Sequence, residues 1–200
     1  MSESSSSWDA DQESRVGKIA GEWRGDQLGG MKSPVTNGLL FLVIAFLLSS
    51  CAGVSVRATE ITTSAKVMRF VNQERAKRGL GRVVPDEGLR TLAQGHSGFL
   101  VGNVYPQQGK PTRSAAHGGF QDRAKKAREA KYVVLSEVVM IGYRGNLSAV
   151  AERTIQGWLN SPGHRRAILN KDRHIMGIET RLPGDGRYFV VGLLSNGKTK

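Results

Sequence analysis

Apolar positions recur along this chain first at helical and later at strand spacing, and the change of period marks out its elements. Val67, Phe70 and Val71 share one helical face. Thr63 or Ser64 supplies a cap and Gly79 a stop, so the spacing predicts a helix between them. Glu74 and Arg78, four apart, can pair on its exposed side. Pro85-Asp86 opens a second helix with Asp86 as N-cap. Leu89, Leu92, Ala93, His96, Phe99 and Leu100 form its apolar face. His96 on that face reads as a hydrogen-bonded core residue. Residues 101–116 lack a period and read as a loop. A third helix is expected from Phe120 to Tyr132, with Arg123, Lys125, Lys126, Arg128 and Lys131 on a basic outer face.

The β-branched run Val133–Gly142 then reads as a mostly buried strand. A fourth helix, capped near Ser148, turns Val150, Ala151, Thr154, Ile155, Trp158 and Leu159 inward. Ser161 and Pro162 suit the N-cap and first position of a short helix that Asn170 stops, with His164 held in its first turn. His174–Arg181 and Arg187–Leu194, joined by the turn at Pro183–Gly186, predict an antiparallel hairpin. Helices interspersed with antiparallel strands give an α+β domain with helices covering the sheet.

Charge and the single cysteine change the picture upstream. The chain carries 29 Lys and Arg against 17 Asp and Glu, a net +12, with the basic excess concentrated beyond Cys51. Such a body favours anionic surroundings such as lipid surfaces or acidic envelope polymers. Aromatic–basic interleaving and nucleic-acid motifs are missing, so no nucleic-acid partner is expected. Leu39–Leu48 is an apolar run of ten residues, short of the ~20 needed to span a bilayer but matching the core of a signal peptide. Leu48-Ser-Ser-Cys51 resembles the lipobox of bacterial lipoproteins, in which the cysteine is acylated and becomes the new N-terminus. The expected organisation is an N-terminal extension (1–30) with Met31 as the true initiator, then a lipoprotein signal peptide and lipobox (31–51). A tether (52–62) and the folded domain (63–196) follow. An acyl anchor on Cys51 would hold the protein in the bacterial cell envelope.

Glu137 carries the strongest physical clue. A carboxylate inside an apolar strand must be protonated, paired, metal-bound or turned to a wet cavity. His164, rigidly placed, is a candidate partner.

In order along the chain, Phe70-Val-Asn-Gln-Glu-Arg-Ala-Lys-Arg-Gly-Leu80, Leu92-Ala-Gln-Gly-His-Ser97, His117-Gly-Gly-Phe-Gln-Asp-Arg123 and Ser136-Glu-Val-Val139 carry a resemblance. Trp158-Leu-Asn-Ser-Pro-Gly-His-Arg-Arg-Ala-Ile-Leu169 and Ile175-Met-Gly-Ile178 complete it. Together they resemble the bacterial branch of the CAP superfamily (SCP-like extracellular domains). The resemblance implies an α–β–α sandwich with a central, mostly antiparallel sheet. It also implies a cavity lined by His117, Glu137 and His164, which could ligate a divalent metal such as zinc, or a lipid-like ligand.

Two departures bear on catalysis. The family's Gly-Glu-Asn becomes Ser136-Glu137-Val138, and the last strand lacks a cavity-side Gln or His. With one candidate carboxylate, a two-carboxylate glycosidase mechanism is unsupported, and neither a Ser–His–Asp elbow nor a His-Glu-x-x-His motif is present. The leading expectation is an envelope lipoprotein that binds a ligand or metal. The alternatives are a metal-dependent hydrolase of an envelope polymer or peptide, and an adhesion or scaffold module.

Overall fold

The computed structural model describes residues 34–104, 113–143 and 146–199, with side chains from Val54 onward apart from residues 113 and 114. The expectations for residues 1–33, and for the side chains of the signal-peptide core and of Cys51, lie outside the described residues. The chain divides into two compact units, Met1–Ala45 and Phe46–Lys200. Of the first, the described part is the opening of helix α1 (Pro34–Ala76). Among the described residues no helix is long and apolar enough to cross a membrane.

The second unit is a three-layer sandwich. Its sheet has strand order β1-β3-β4-β2, with β1 (Val84–Pro85), β2 (Leu135–Tyr143), β3 (Ile175–Arg181) and β4 (Arg187–Ser195). The predicted hairpin forms, with Ile175 opposite Ser195 through Arg181 opposite Phe189. β2 runs antiparallel along the other side of β4. β1 pairs parallel with β3 and is too short to leave a sequence period. β4, flanked on both sides, is buried at every position. At its middle, a Cβ on Gly192 would lie 2.6 Å from Met176 and 2.8 Å from Val138, so a larger residue there would displace the side chains of both neighbouring strands.

One face of the sheet packs Val67 and Val71 of α1, Val150, Ile155 and Trp158 of α5 (Val150–Asn160), and Ile168 of α6 (Pro162–Ile168). The other packs Leu89, Ala93 and Leu100 of α2 (Glu87–Asn103) and Ala127 of α4 (Phe120–Glu129). A single-turn α3 (Arg113–Ala116) precedes α4. The α+β class and the sandwich hold. α2 lies so close that a Cβ on Gly177 would be 2.1 Å from the Arg90 backbone nitrogen.

Several local expectations hold and several are corrected. Asp86 caps α2, accepting from Leu89 N–H at 2.8 Å. Glu74 pairs with Arg78 at 2.7 Å and with Lys77 at 2.6 Å. The tether at 52–62 and the capped start at Thr63 or Ser64 are replaced by unbroken helix. Tertiary partners decide this: Arg57 reaches Glu179 at 2.6 Å, and Glu60 accepts from Leu182 N–H at 2.8 Å. The strand expected from Val133 begins at Leu135, because Lys131 and Val134 take left-handed backbone angles that keep the chain turning. Ser161 stands at the N-cap of α6 with Pro162 behind it, but its side chain makes no capping bond.

Candidate metal and ligand site

The site is assembled from three elements at one end of β2. Glu137 projects from the strand with its side chain only 2% exposed. His117 Nδ1–H donates to its Oε1 at 2.9 Å. Arg123, from the first turn of α4, closes a fork on the same carboxylate: Nε on Oε2 at 2.7 Å and Nη2 on Oε1 at 2.8 Å. Gly119, at φ +69, ends the turn that carries His117, and Arg123 Nη1 donates back to Gly118 O at 2.7 Å. Burial pushes the Glu137 carboxyl up, but the bonds from His117 and Arg123 outweigh it and hold the group below the usual carboxylate range.

Because Nδ1 of His117 is committed to the carboxylate, Nε2 is its outward nitrogen. It faces Nε2 of His164 at 3.4 Å, with ring centroids 5.6 Å apart and tilted by 55°. His164 stands in the first turn of α6, which fully buried Trp158 and Ile168 hold against the sheet. Arg75, also fully buried, grips the far end of α6 by donating to Ile168 O, Asn170 O and Arg173 O at 2.8–2.9 Å. The buried guanidinium thus rests on carbonyls at the negative end of a helix.

The structure brings together all three residues expected from sequence, but gives them different stations. His117 and His164 turn their Nε2 nitrogens toward each other, within hydrogen-bond reach. Glu137 lies one shell behind, orienting His117 in the carboxylate–histidine arrangement seen at metal sites. Arg123, expected on the basic outer face, turns inward instead. Its spacing from buried Ala127, one helical turn on, was the available signal. His96 is the buried, hydrogen-bonded residue expected, with Nε2–H on Ala116 O at 2.9 Å, and it also stands 3.8 Å from Glu137. Burial pushes its pKa down, so it rests neutral behind the carboxylate.

The donor set fits a divalent ion in part. Two imidazole nitrogens on a tetrahedral ion with metal–nitrogen bonds of about 2.0–2.1 Å lie about 3.3 Å apart, close to the separation found. Among the described residues no group of three or more His, Cys, Asp or Glu is placed to hold a metal. The protein would therefore supply two ligands, one fewer than the three usual in catalytic zinc sites.

The sequence profile of the cysteine-rich secretory protein family, CAP, matches residues 68–194, well over half of the chain. The chain belongs to the CAP family. The CAP domain is similar in fold to an outer surface protein of Borrelia burgdorferi, at 21% identity and a TM-score of 0.55, covering 68% of this chain and 94% of that one. A cysteine-rich secretory protein of Staphylococcus aureus matches at 19% identity and a TM-score of 0.51 over 68% of this chain. An extracellular SCP-domain protein of Bacillus anthracis matches at 20% and 0.51 over 84%. The CAP chain spans less than half the length of these last two, 39% and 45%. No curated protein sequence matches it.

Proposed function

We propose that this CAP protein is exported, anchored in the bacterial envelope through an acylated Cys51, and binds a divalent metal ion between His117 and His164. The single observation that carries the metal reading is the pair of Nε2 atoms aimed at one another at 3.4 Å, with His117 fixed from behind by Glu137. Export is supported by the outer-surface and extracellular proteins that share the fold, and anchoring by the lipobox-like Leu48–Cys51.

The residues divide the work. Glu137 holds the His117 proton on Nδ1, leaving Nε2 free to ligate. Arg123 neutralises Glu137, so two neutral imidazoles leave the charge of a divalent ion uncompensated and favour an anionic or strongly polar ligand beside it. A bound zinc ion would supply Lewis acidity to an oxygen of that ligand. With two protein ligands, ligand binding is favoured over hydrolysis.

Titrating zinc into the purified chain by calorimetry tests this. One ion per chain is expected, with affinity at least ~10-fold weaker in His164→Ala and in Glu137→Gln. Affinity should also fall on acidification, since imidazole must be neutral to ligate. Equal zinc binding by His164→Ala would refute the metal reading. For the anchor, Cys51→Ser should release the protein from membranes on washing, and unchanged retention would exclude acylation at that residue.

A further inference from the structure

The two ends of the sheet are charged differently. At the end where β3 stops and β4 starts, residues 57–60 and 179–187 carry three arginines and three carboxylates. All six are paired: Arg57 and Arg181 with Glu60 and Glu179, and Arg187 with Asp185. At the other end four segments meet. Arg75 donates to Gly81 O, Asn170 O and Arg173 O, Arg173 donates to Asn196 Oδ1, and Val133 N–H donates to Gly197 O. Residues 74–84 carry four cations against Glu74, and residues 129–134, 170–174 and 195–199 carry four more against Glu129 and Asp172.

This excess is not cancelled within the chain. Glu74 is already taken by Lys77 and Arg78. Arg82, Lys131 and Lys171 are exposed, and among the described residues no carboxylate pairs with any of them. Lys198, also exposed, lies over the Tyr132 ring at 4.5 Å. At the same end Arg75 and Arg173 are buried, and both donate to neutral oxygens alone. Nε of Arg173 is buried with no acceptor, and the exposed Asp172 offsets its charge in part. Guanidinium charge held inside without a carboxylate adds to the positive potential of the surface around it.

α1 bears on what can meet that surface. It is one helix from Arg57, at the paired end, to Arg75, at the basic end, and Cys51 lies a further six residues upstream. At 1.5 Å per residue the basic end is about 36 Å along the axis from Cys51, several times the ~8 Å over which physiological salt screens charge. An acyl anchor at Cys51 puts these cations at the far end of the domain from the lipid; that step rests on the anchor proposed above. Tyr132, 5% exposed, offers no face on which bases could stack. Of the four exposed cations three are lysines, point charges that hold phosphate without the planar fork by which arginine takes carboxylates.

We propose that this end of the domain binds a linear polymer of the cell envelope that carries a phosphate in each repeat, held across Arg82, Lys131, Lys171 and Lys198. Several weak contacts to one chain reinforce one another, so an open surface suffices.

An end-labelled inorganic polyphosphate chain, titrated into the full-length protein and followed by fluorescence anisotropy, tests the proposal. Saturable binding is expected, weakening at least ~5-fold between about 50 and 150 mM salt. Reversing Arg82, Lys131 and Lys171 together to Glu should weaken it at least ~30-fold, and changing all three to Gln at least ~10-fold, with the thermal midpoint in place. Reversing Lys66, Arg69 and Arg165 instead, an equal change in net charge away from this end, should weaken it no more than ~3-fold. Cys51→Ser and His164→Ala should bind polyphosphate as the parent does, so failure of the anchor or of the metal pair is read separately. Equal losses in the two triple reversals, an unaffected Gln triple, or no binding at about 1 mM phosphate would overturn the proposal. So would anionic vesicles, or a single-stranded oligonucleotide of equal charge, that bind the Cys51→Ser chain through the same three residues more tightly than polyphosphate does.

Discussion

Glu137 and Glu179 are two versions of one structural problem. Both are carboxylates on the central sheet, with side chains 2% and 4% exposed, and both are held by arginines reaching in from helices. Glu179 on β3 is shared between Arg57 of α1 and Arg90 of α2, with Arg181 of its own strand at 3.5 Å, so it stitches the two helical layers together across the sheet edge. Glu137 on β2 takes the whole fork of a single arginine and then a histidine. A carboxylate surrounded by guanidinium groups alone ends in structure. A carboxylate with an imidazole between it and open space transmits its orientation outward, to a nitrogen that faces His164. Burial and ion pairing are common to both, and the chemistry lies in what stands beyond the pair.

The largest expected effect separates the two carboxylates by their dependence on one partner. Arg123→Ala leaves Glu137 buried with two of its three hydrogen bonds gone and should cost about 3–5 kcal/mol in urea unfolding. Arg123→Met combined with Glu137→Gln should recover more than half of that. At Glu179, where three arginines share the load and are each about a third exposed, Arg57→Ala or Arg90→Ala should cost only about 1–2 kcal/mol, and the double variant, which keeps Arg181, should still cost less than Arg123→Ala. Equal losses at the two sites would break the comparison.

Next in size is Gly177→Ala, beside Glu179. Its Cβ would strike the backbone of Leu89 and Arg90, which cannot swing aside. About 1–3 kcal/mol should be lost, read from the same unfolding curves, with zinc binding preserved in the folded fraction.

Acid should act on the Glu137 side. The folded pKa of Glu137 is depressed, so its stabilisation is full above the unfolded value of about 4.3 and is lost as pH falls through the folded value. His96 is depressed too. Folding favours its neutral form, so its contribution is full above about 6.5 and declines as pH falls toward its lower folded value. Thermal midpoints should therefore drop in two stages on acidification, and His96→Gln should remove the upper stage. The smallest effect is expected at His164→Ala, within about 0.5 kcal/mol of the parent stability. The same change should cost most of the zinc affinity.

Much of the frame was legible in the chain. Asp86 as cap, the hairpin across Pro183–Gly186, the inward face around Trp158 and the placing of His164 all follow from local periods and turn chemistry, and all stand in the structure. Glu137 was conspicuous because a carboxylate inside an apolar run has few tolerable environments. Arg123 was misplaced because a run of basic residues reads as a solvated face, and only its helical phase with Ala127 hinted otherwise. Glu179, between Ile178 and Thr180, has no neighbour in sequence that marks it as buried. The two arginines that hydrogen-bond it lie 122 and 89 residues away, and only Arg181, at 3.5 Å, is near in sequence.

The amino-acid order by itself determined where elements begin and end whenever a cap, a glycine or an apolar period acts over a few residues, because those interactions are short-ranged. It also determined that Glu137 needed a partner, because desolvating a charge costs too much to leave uncompensated. Which partner it took, whether residues 52–62 coiled as helix, and that unpaired cations gather at one end of the sheet were decided only when distant segments met. Those outcomes rest on contacts between groups far apart in the chain, and local sequence does not encode their distance.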